Sequence, residues 1–156
     1  TLGAVMRGLR RSYRRGREAM GDAYASPDAD PELFHDWRKR VKDLWYHVRV
    51  LSEAWPELLK PYRDALKELA DDLGADHDLA VLAATVEAMG DERPAVRQLR
   101  RAIEARRHEH QRHAAPIGAR VYAEPAGRFT DRVERLWRAG AAETARPVPS
   151  PASGEG

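Results

Sequence analysis

Phe34-His35-Asp36-Trp37-Arg38-Lys39-Arg40-Val41-Lys42-Asp43-Leu44-Trp45-Tyr46 is the stretch that decides the fold. At about 100° per residue, Phe34, Trp37, Val41 and Leu44, continued by Val48 and Leu51, line up three and four apart on one side of a helix. His35, Arg38, Lys39, Lys42, Tyr46 and Arg49 fall within an arc of about 100°, centred roughly 135° from that seam. A strand would scatter both sets, because its side chains alternate faces at every residue. The stretch therefore reads as a helix with one side that packs and another that gathers positive charge.

Outward from this helix the pattern recurs. Upstream, Leu2, Met6, Leu9, Tyr13, Gly16 and Met20 keep the same rhythm over about residues 2 to 24, with Arg7, Arg10, Arg11 and Arg14 on a neighbouring stripe. A shift of 28 residues superposes these arginines on His35, Arg38, Lys39 and Lys42. Any two heptad-patterned helices share such a match at multiples of seven, so it is no proof of a repeat. Ser26-Pro27-Asp28-Ala29-Asp30-Pro31 holds turn and cap residues, which makes the first two helices antiparallel neighbours.

Downstream, Pro56 opens a third helix with Leu58, Leu59, Tyr62, Leu66, Leu69 and Leu73 as its buried stripe and Pro61 near its first turn. Gly74 reads as its C-cap, and Asp76 or Asp78 as the N-cap of a fourth helix reaching Met89. After a break at Gly90 and Pro94, residues 95 to 123 form a long charged helix with a thin apolar face (Val96, Leu99, Ile103, Ile117, Val121), interrupted at Pro116. Pro125 starts a last helix that docks through Phe129, Val133, Leu136 and Trp137. No segment alternates with period two. The expected fold is all-α, an antiparallel bundle of four to six helices over residues 1–141, followed by a disordered Pro/Ser/Gly-rich tail at 142–156.

A chain of 156 residues can bury a real core without staples, and it has no cysteine, which excludes disulfide and thiolate chemistry. No apolar run approaches a membrane span. The chain starts at Thr1, and arginines break its first apolar residues before a signal-peptide core can form. A cytoplasmic setting is the expectation. The net charge of +2 hides a strong segregation. Residues 7 to 17 hold six arginines and no acid, while residues 57 to 92 hold ten acids against three bases. The two basic helices are accordingly expected to form one site, with the acids facing elsewhere.

Catalysis finds little support in these residues. His35 has no evident nucleophile or paired carboxylate, so it is read as an anion contact or a donor that orients the helix. A phosphate-cradling Gly-rich loop with its lysine is absent, as is a metal-binding carboxylate cluster. His108, His110 and His113 with Glu109 suggest a metal site, but an Arg-rich, weakly apolar helix favours plain surface exposure. Asp71, Asp72, Asp76 and Asp78 lack Ca²⁺-loop spacing and suit helix caps. Catalytic residues, metal and cofactor are all expected to be none.

The pattern His35-x-x-Arg38-Lys39-x-x-Lys42-x-Leu44-x-Tyr46 resembles the signature of the CHAD family, the conserved-histidine α-helical domain. Leu73-Gly74 followed by Asp78, Leu79, Ala80 and Val81 is similar to that family's second recurring segment. The resemblance covers about residues 1 to 140. It implies a helical domain of two pseudo-symmetric repeats whose basic surface binds inorganic polyphosphate, in proteins commonly associated with polyphosphate granules. Only one copy of the histidine motif is present, so the resemblance implies one half of that domain, with a homodimer expected to restore the pair. Trp45 stands where the family often has arginine.

The residues themselves lead to a compatible reading. A groove of cations gains from Coulomb attraction and counterion release along a polyanion. Arginines offer forked donors to phosphate oxygens, and lysines act as compact charges that tolerate sliding. The expected contacts are His35, Arg38, Lys39, Lys42, Tyr46 and Arg49 together with Arg7, Arg10, Arg11 and Arg14. The alternative is a nucleic-acid backbone binder, weakened by the lack of a base-reading motif and by how few exposed aromatics interleave the cations.

Overall fold

The computed structural model describes residues 1–25, 30–53 and 55–144. Five helices make up the fold: α1 (Leu2–Ala23), α2 (Pro31–Ser52), α3 (Pro56–Ala88), α4 (Pro94–Val121) and α5 (Ala126–Thr144). Among the described residues there is no strand. Successive helices α1 to α4 pack side by side, and α5 returns to lie against α1. The result is the all-α bundle expected from the periodicity. No helix is long and apolar enough to cross a membrane.

Helices α2, α3 and α4 start where the chain chemistry predicts. Asp30 caps α2, its carboxylate accepting from the Glu32 amide at 2.9 Å, and Pro31 occupies the first turn, where a missing N–H costs nothing. Pro56 and Pro94 open α3 and α4 in the same way. The seam of α2 is wholly buried: Phe34, Trp37, Val41, Leu44, Val48 and Leu51. So are Met6, Leu9, Tyr13 and Gly16 on α1. Tyr13 stacks on Phe129 at 4.5 Å and gives its hydroxyl hydrogen to the Glu124 carbonyl at 2.8 Å, which seats α5 on α1. Residues 26–29 of the expected loop, and 145–156 of the expected tail, lie outside the described residues.

Several expectations need correction. Gly74 does not end a helix: α3 runs unbroken through it for 33 residues, so neither Asp76 nor Asp78 caps anything. The reason is tertiary. Asp76 is 2 % exposed and its carboxylate accepts from Arg107 Nε at 3.2 Å and Gln111 Nε2 at 2.9 Å, both on α4. A buried carboxylate satisfied from a neighbouring helix has no need to seek amides of its own. Likewise Pro116 does not interrupt α4, which runs straight through it with the proline on the exposed side. Leu99, expected in the core, is 45 % exposed, and Leu58, expected in the buried stripe of the third helix, is 38 % exposed.

Unequal helix lengths shape the molecule. At 1.5 Å per residue α3 is about 50 Å long, whereas α1 and α2 are about 33 Å. Since His35 lies beside His77, the far end of α3 and the start of α4 project past the first turn of α2. Val81, Leu82, Met89 and Leu99 are exposed on that projection.

Candidate functional site

The basic stripe of α2 lies on the side of that helix turned towards α3. His35 stacks on His77 of α3, ring centroids 4.2 Å apart and planes 24° from parallel. One turn on, Arg38 crosses Gly74; a Cβ at that position would sit 3.7 Å from Arg38 Nε. The two sequence segments singled out independently are therefore packed against each other. Gly74 serves as a smooth stretch of α3 under a guanidinium, a role that a C-cap reading missed. Helical spacing from Gly74 to His77 and from His35 to Arg38, three residues each, was the available signal.

Beyond Arg38 the stripe opens to solvent. Lys39, Lys42, Tyr46 and Arg49 are exposed. Lys39 is held by Asp36 at 2.7 Å, and Arg40, off the stripe, by Asp43 at 3.5 Å. Among the described residues Arg38, Lys42 and Arg49 have no ion pair, whereas all three bases of the acidic first half of α3 do: Lys60 and Arg63 with Asp64, and Lys67 with Asp71. Arg49 instead lies over the Trp45 ring, 5.5 Å from its centroid. Nδ1 of His35 and Nε of Arg38 are buried and have no hydrogen-bond partner among the described residues.

The four arginines of α1 expected as contacts lie apart from this stripe. Gly8 and Ser12 are the residues that α1 turns towards α2, with Ser12 Oγ 3.4 Å from His47 Nδ1. Arg7, Arg11 and Arg14 therefore point roughly 130–170° away from the buried stripe of α1, out to solvent. Arg10 leans the other way, onto α5, where a Cβ on Gly127 would lie 3.2 Å from its guanidinium. A groove of mixed sign, lined by Arg15, Glu18, Asp22, Asp36 and Arg40, separates the two groups. The structure thus brings six of the ten expected residues onto one helix side and sets the other four elsewhere, Arg7, Arg11 and Arg14 facing solvent from α1 and Arg10 against α5.

Acids bound the stripe at its start. A cleft of about 490 Å³ lies beside His35 and His77, with Asp30, Glu32, Glu87 and Glu104 around it. Burial, His77 and Lys39 all disfavour a charged His35, and its pKa lies below the ordinary histidine value, Glu32 opposing only weakly. The histidines of α4 behave otherwise. His110 and His113 meet Asp72 of α3 at 3.1 and 2.5 Å, and the Asp72 hydrogen bond raises the His113 pKa. The expectation of plain exposure holds for His108 and His113 but not for His110, which is half-buried. Among the described residues no group of side chains has the makings of a metal site.

The family model described as CHAD domain matches residues 3–87, a span that holds all ten residues read as phosphate contacts and ends within α3. No curated protein and no solved structure matches the chain.

Proposed function

We propose, from the premise that the chain belongs to the CHAD domain family, that it binds inorganic polyphosphate along α2 without altering it chemically. The observation that carries this reading is the run of uncommitted cations: Arg38, Lys42 and Arg49 follow one another along α2 with no ion pair among the described residues, beside a histidine able to take a proton. A linear anion needs such a ladder, whereas a compact one needs convergence on a point. His35 and Arg38, wedged against α3, hold the ladder's fixed end; Lys42, Tyr46 and Arg49 form its open run. The α1 arginines are a separate track, reached by a long chain that wraps round the bundle or by a second chain. Cytoplasmic placement at polyphosphate granules, and pairing of two copies to restore a two-repeat arrangement, belong to the same reading.

The test compares long polyphosphate with single-stranded and duplex nucleic acid of matched charge across a salt series. Polyphosphate binding is expected to survive physiological salt while nucleic acid falls away. Lys42→Glu with Arg49→Glu, both exposed, is expected to fold and to flatten the dependence of log affinity on log salt by roughly 1.4 if each contact counts as on a single strand. Equal, steeply salt-sensitive binding to all three polymers would leave only a generic cationic surface.

A further inference from the structure

Tyr46 breaks the run of cations, and it does so in their line. It follows Lys42 by four residues and precedes Arg49 by three, so the ring stands on the helix between two uncommitted positive charges, about 6 Å along the axis from the first. It is 53 % exposed. Among the described residues its ring meets that of Trp45, at 5.0 Å and 70°, edge to face. Whichever ring presents its edge, at least one face of Tyr46 stays uncovered by Trp45. Arg49 lies over Trp45, so one face of the neighbouring indole is already occupied by a cation. Inorganic phosphate makes no use of an open aromatic face. A base does, because every nucleobase has a π-face that stacks on tyrosine.

We infer that this stripe, if it binds phosphate chains as proposed above, takes a nucleoside polyphosphate, with the base stacked on Tyr46 and the phosphates running along Lys42, Lys39 and Arg38 towards His35. The direction follows from the layout. Between Tyr46 and His35 lie about 16 Å of helix carrying the cations, and beyond His35 the acids Glu32 and Asp30 oppose further phosphate. Tyr46 is thus a specificity-determining residue: its ring adds affinity only for a chain that ends in a base, whatever its hydroxyl gives to either kind of chain. The ribose hydroxyls lie over the Lys42–Tyr46 turn, and the Tyr46 hydroxyl remains available as a donor.

The experiment is calorimetric titration of the intact chain with adenosine triphosphate, inorganic tripolyphosphate and long polyphosphate in one buffer, repeated with Tyr46→Ala and Tyr46→Phe. Adenosine triphosphate is expected to bind about tenfold tighter than tripolyphosphate, the lower range of a base–aromatic stack at an exposed site. Tyr46→Ala is expected to erase that ratio, whatever part of tripolyphosphate binding the hydroxyl supplies, and Tyr46→Phe, which keeps the ring and drops the hydroxyl, to retain it. Equal affinity for the two short ligands, or an equal loss of both in Tyr46→Ala, overturns the inference, as does binding of long polyphosphate alone. Tighter binding of single-stranded nucleic acid than of adenosine triphosphate, when charge is matched, also overturns it. Failure of all three ligands would bring down the polyphosphate reading as well, so the two failures are distinguishable.

Discussion

His35 and His77 stack ring on ring across the α2–α3 interface, 4.2 Å between centroids. Two neutral imidazoles tolerate this contact; two imidazolium ions at that distance repel. The pair therefore couples proton uptake on α2 to the packing of α3.

The His35 pKa is lowered in the folded chain, first by burial. Its contribution to stability is present above the ordinary histidine value, near pH 6.5, and is lost as pH falls through the lower folded value. A bound phosphate reverses the preference, since it favours the imidazolium. Polyphosphate affinity is expected to rise as pH falls below about 6.5, with proton uptake measurable by titrating in buffers of different ionisation enthalpy. His35→Gln should abolish the uptake; a pH-independent affinity would remove His35 from the contact list.

His113 has the opposite sign. Its pKa is raised by the Asp72 hydrogen bond, so its stabilising effect is full below the ordinary value and fades as pH rises through the folded one. The two histidines offset each other in a stability profile. Replacing His113 with Gln should therefore make stability fall more steeply on acidification, as read from urea midpoints between pH 7.5 and about 5.5. An unchanged slope would show that one of the two shifts has no weight.

Two helical glycines should respond to alanine in opposite directions. At Gly74 the added methyl meets Arg38 at ordinary contact distance, so the gain in helix propensity, up to about 1 kcal/mol, should appear as stability. At Gly118 a Cβ would lie 2.7 Å from Trp37 and 2.9 Å from the Met20 sulfur, and Trp37 is fully buried. Overpacking there is expected to cost roughly 1–3 kcal/mol. Denaturant midpoints of the two variants test the pair, and a destabilised Gly74→Ala would mean that Arg38 cannot hold its place.

The buried pair of Asp76 and Arg107 should be costly to break and cheap to replace. Burial raises the Asp76 pKa despite the guanidinium, so desolvation outweighs attraction at this carboxylate. Arg107→Met alone leaves that carboxylate with only Gln111 and is expected to lose roughly 3 kcal/mol. Asp76→Leu with Arg107→Met should recover most of it. A double variant as weak as the single one would show that the pair, with Glu104, is a net source of stability.

Self-association is expected from the exposed Val81, Leu82, Met89 and Leu99 and from the single histidine motif. Sedimentation equilibrium at high concentration should give a mass above that of one chain. A monomer throughout would sink the two-copy reading while leaving binding along α2 intact.

How far the sequence could be read depended on whether the partner was near in the chain. The seams of α1 and α2 were legible because a three-four rhythm places Leu9, Trp37 or Val41 whatever lies opposite. The stripe from His35 to Arg49 was legible for the same reason. What escaped were the pairings between helices. Asp76 looks like a cap until Arg107, 31 residues on, is seen to reach it. Gly74 looks like a stop until Arg38 crosses it. The split between α1 arginines and α2 cations escaped too, since adjacency of two helices does not reveal which faces they turn to each other; Gly8, Ser12 and His47 settled that only in three dimensions.

The long third helix spans two regimes of local order. Amides between Leu59 and Asp76 sit over buried Leu66, Leu69 and Leu73, and can exchange hydrogen for deuterium only when the whole bundle opens. Past Ala80, where Val81, Leu82 and Met89 are exposed, the same continuous helix should exchange by fraying from its tip. A single rod is thus anchored at one end and free to breathe at the other, and a partner that grips the tip would be read out as slowed exchange there, without any change of secondary structure.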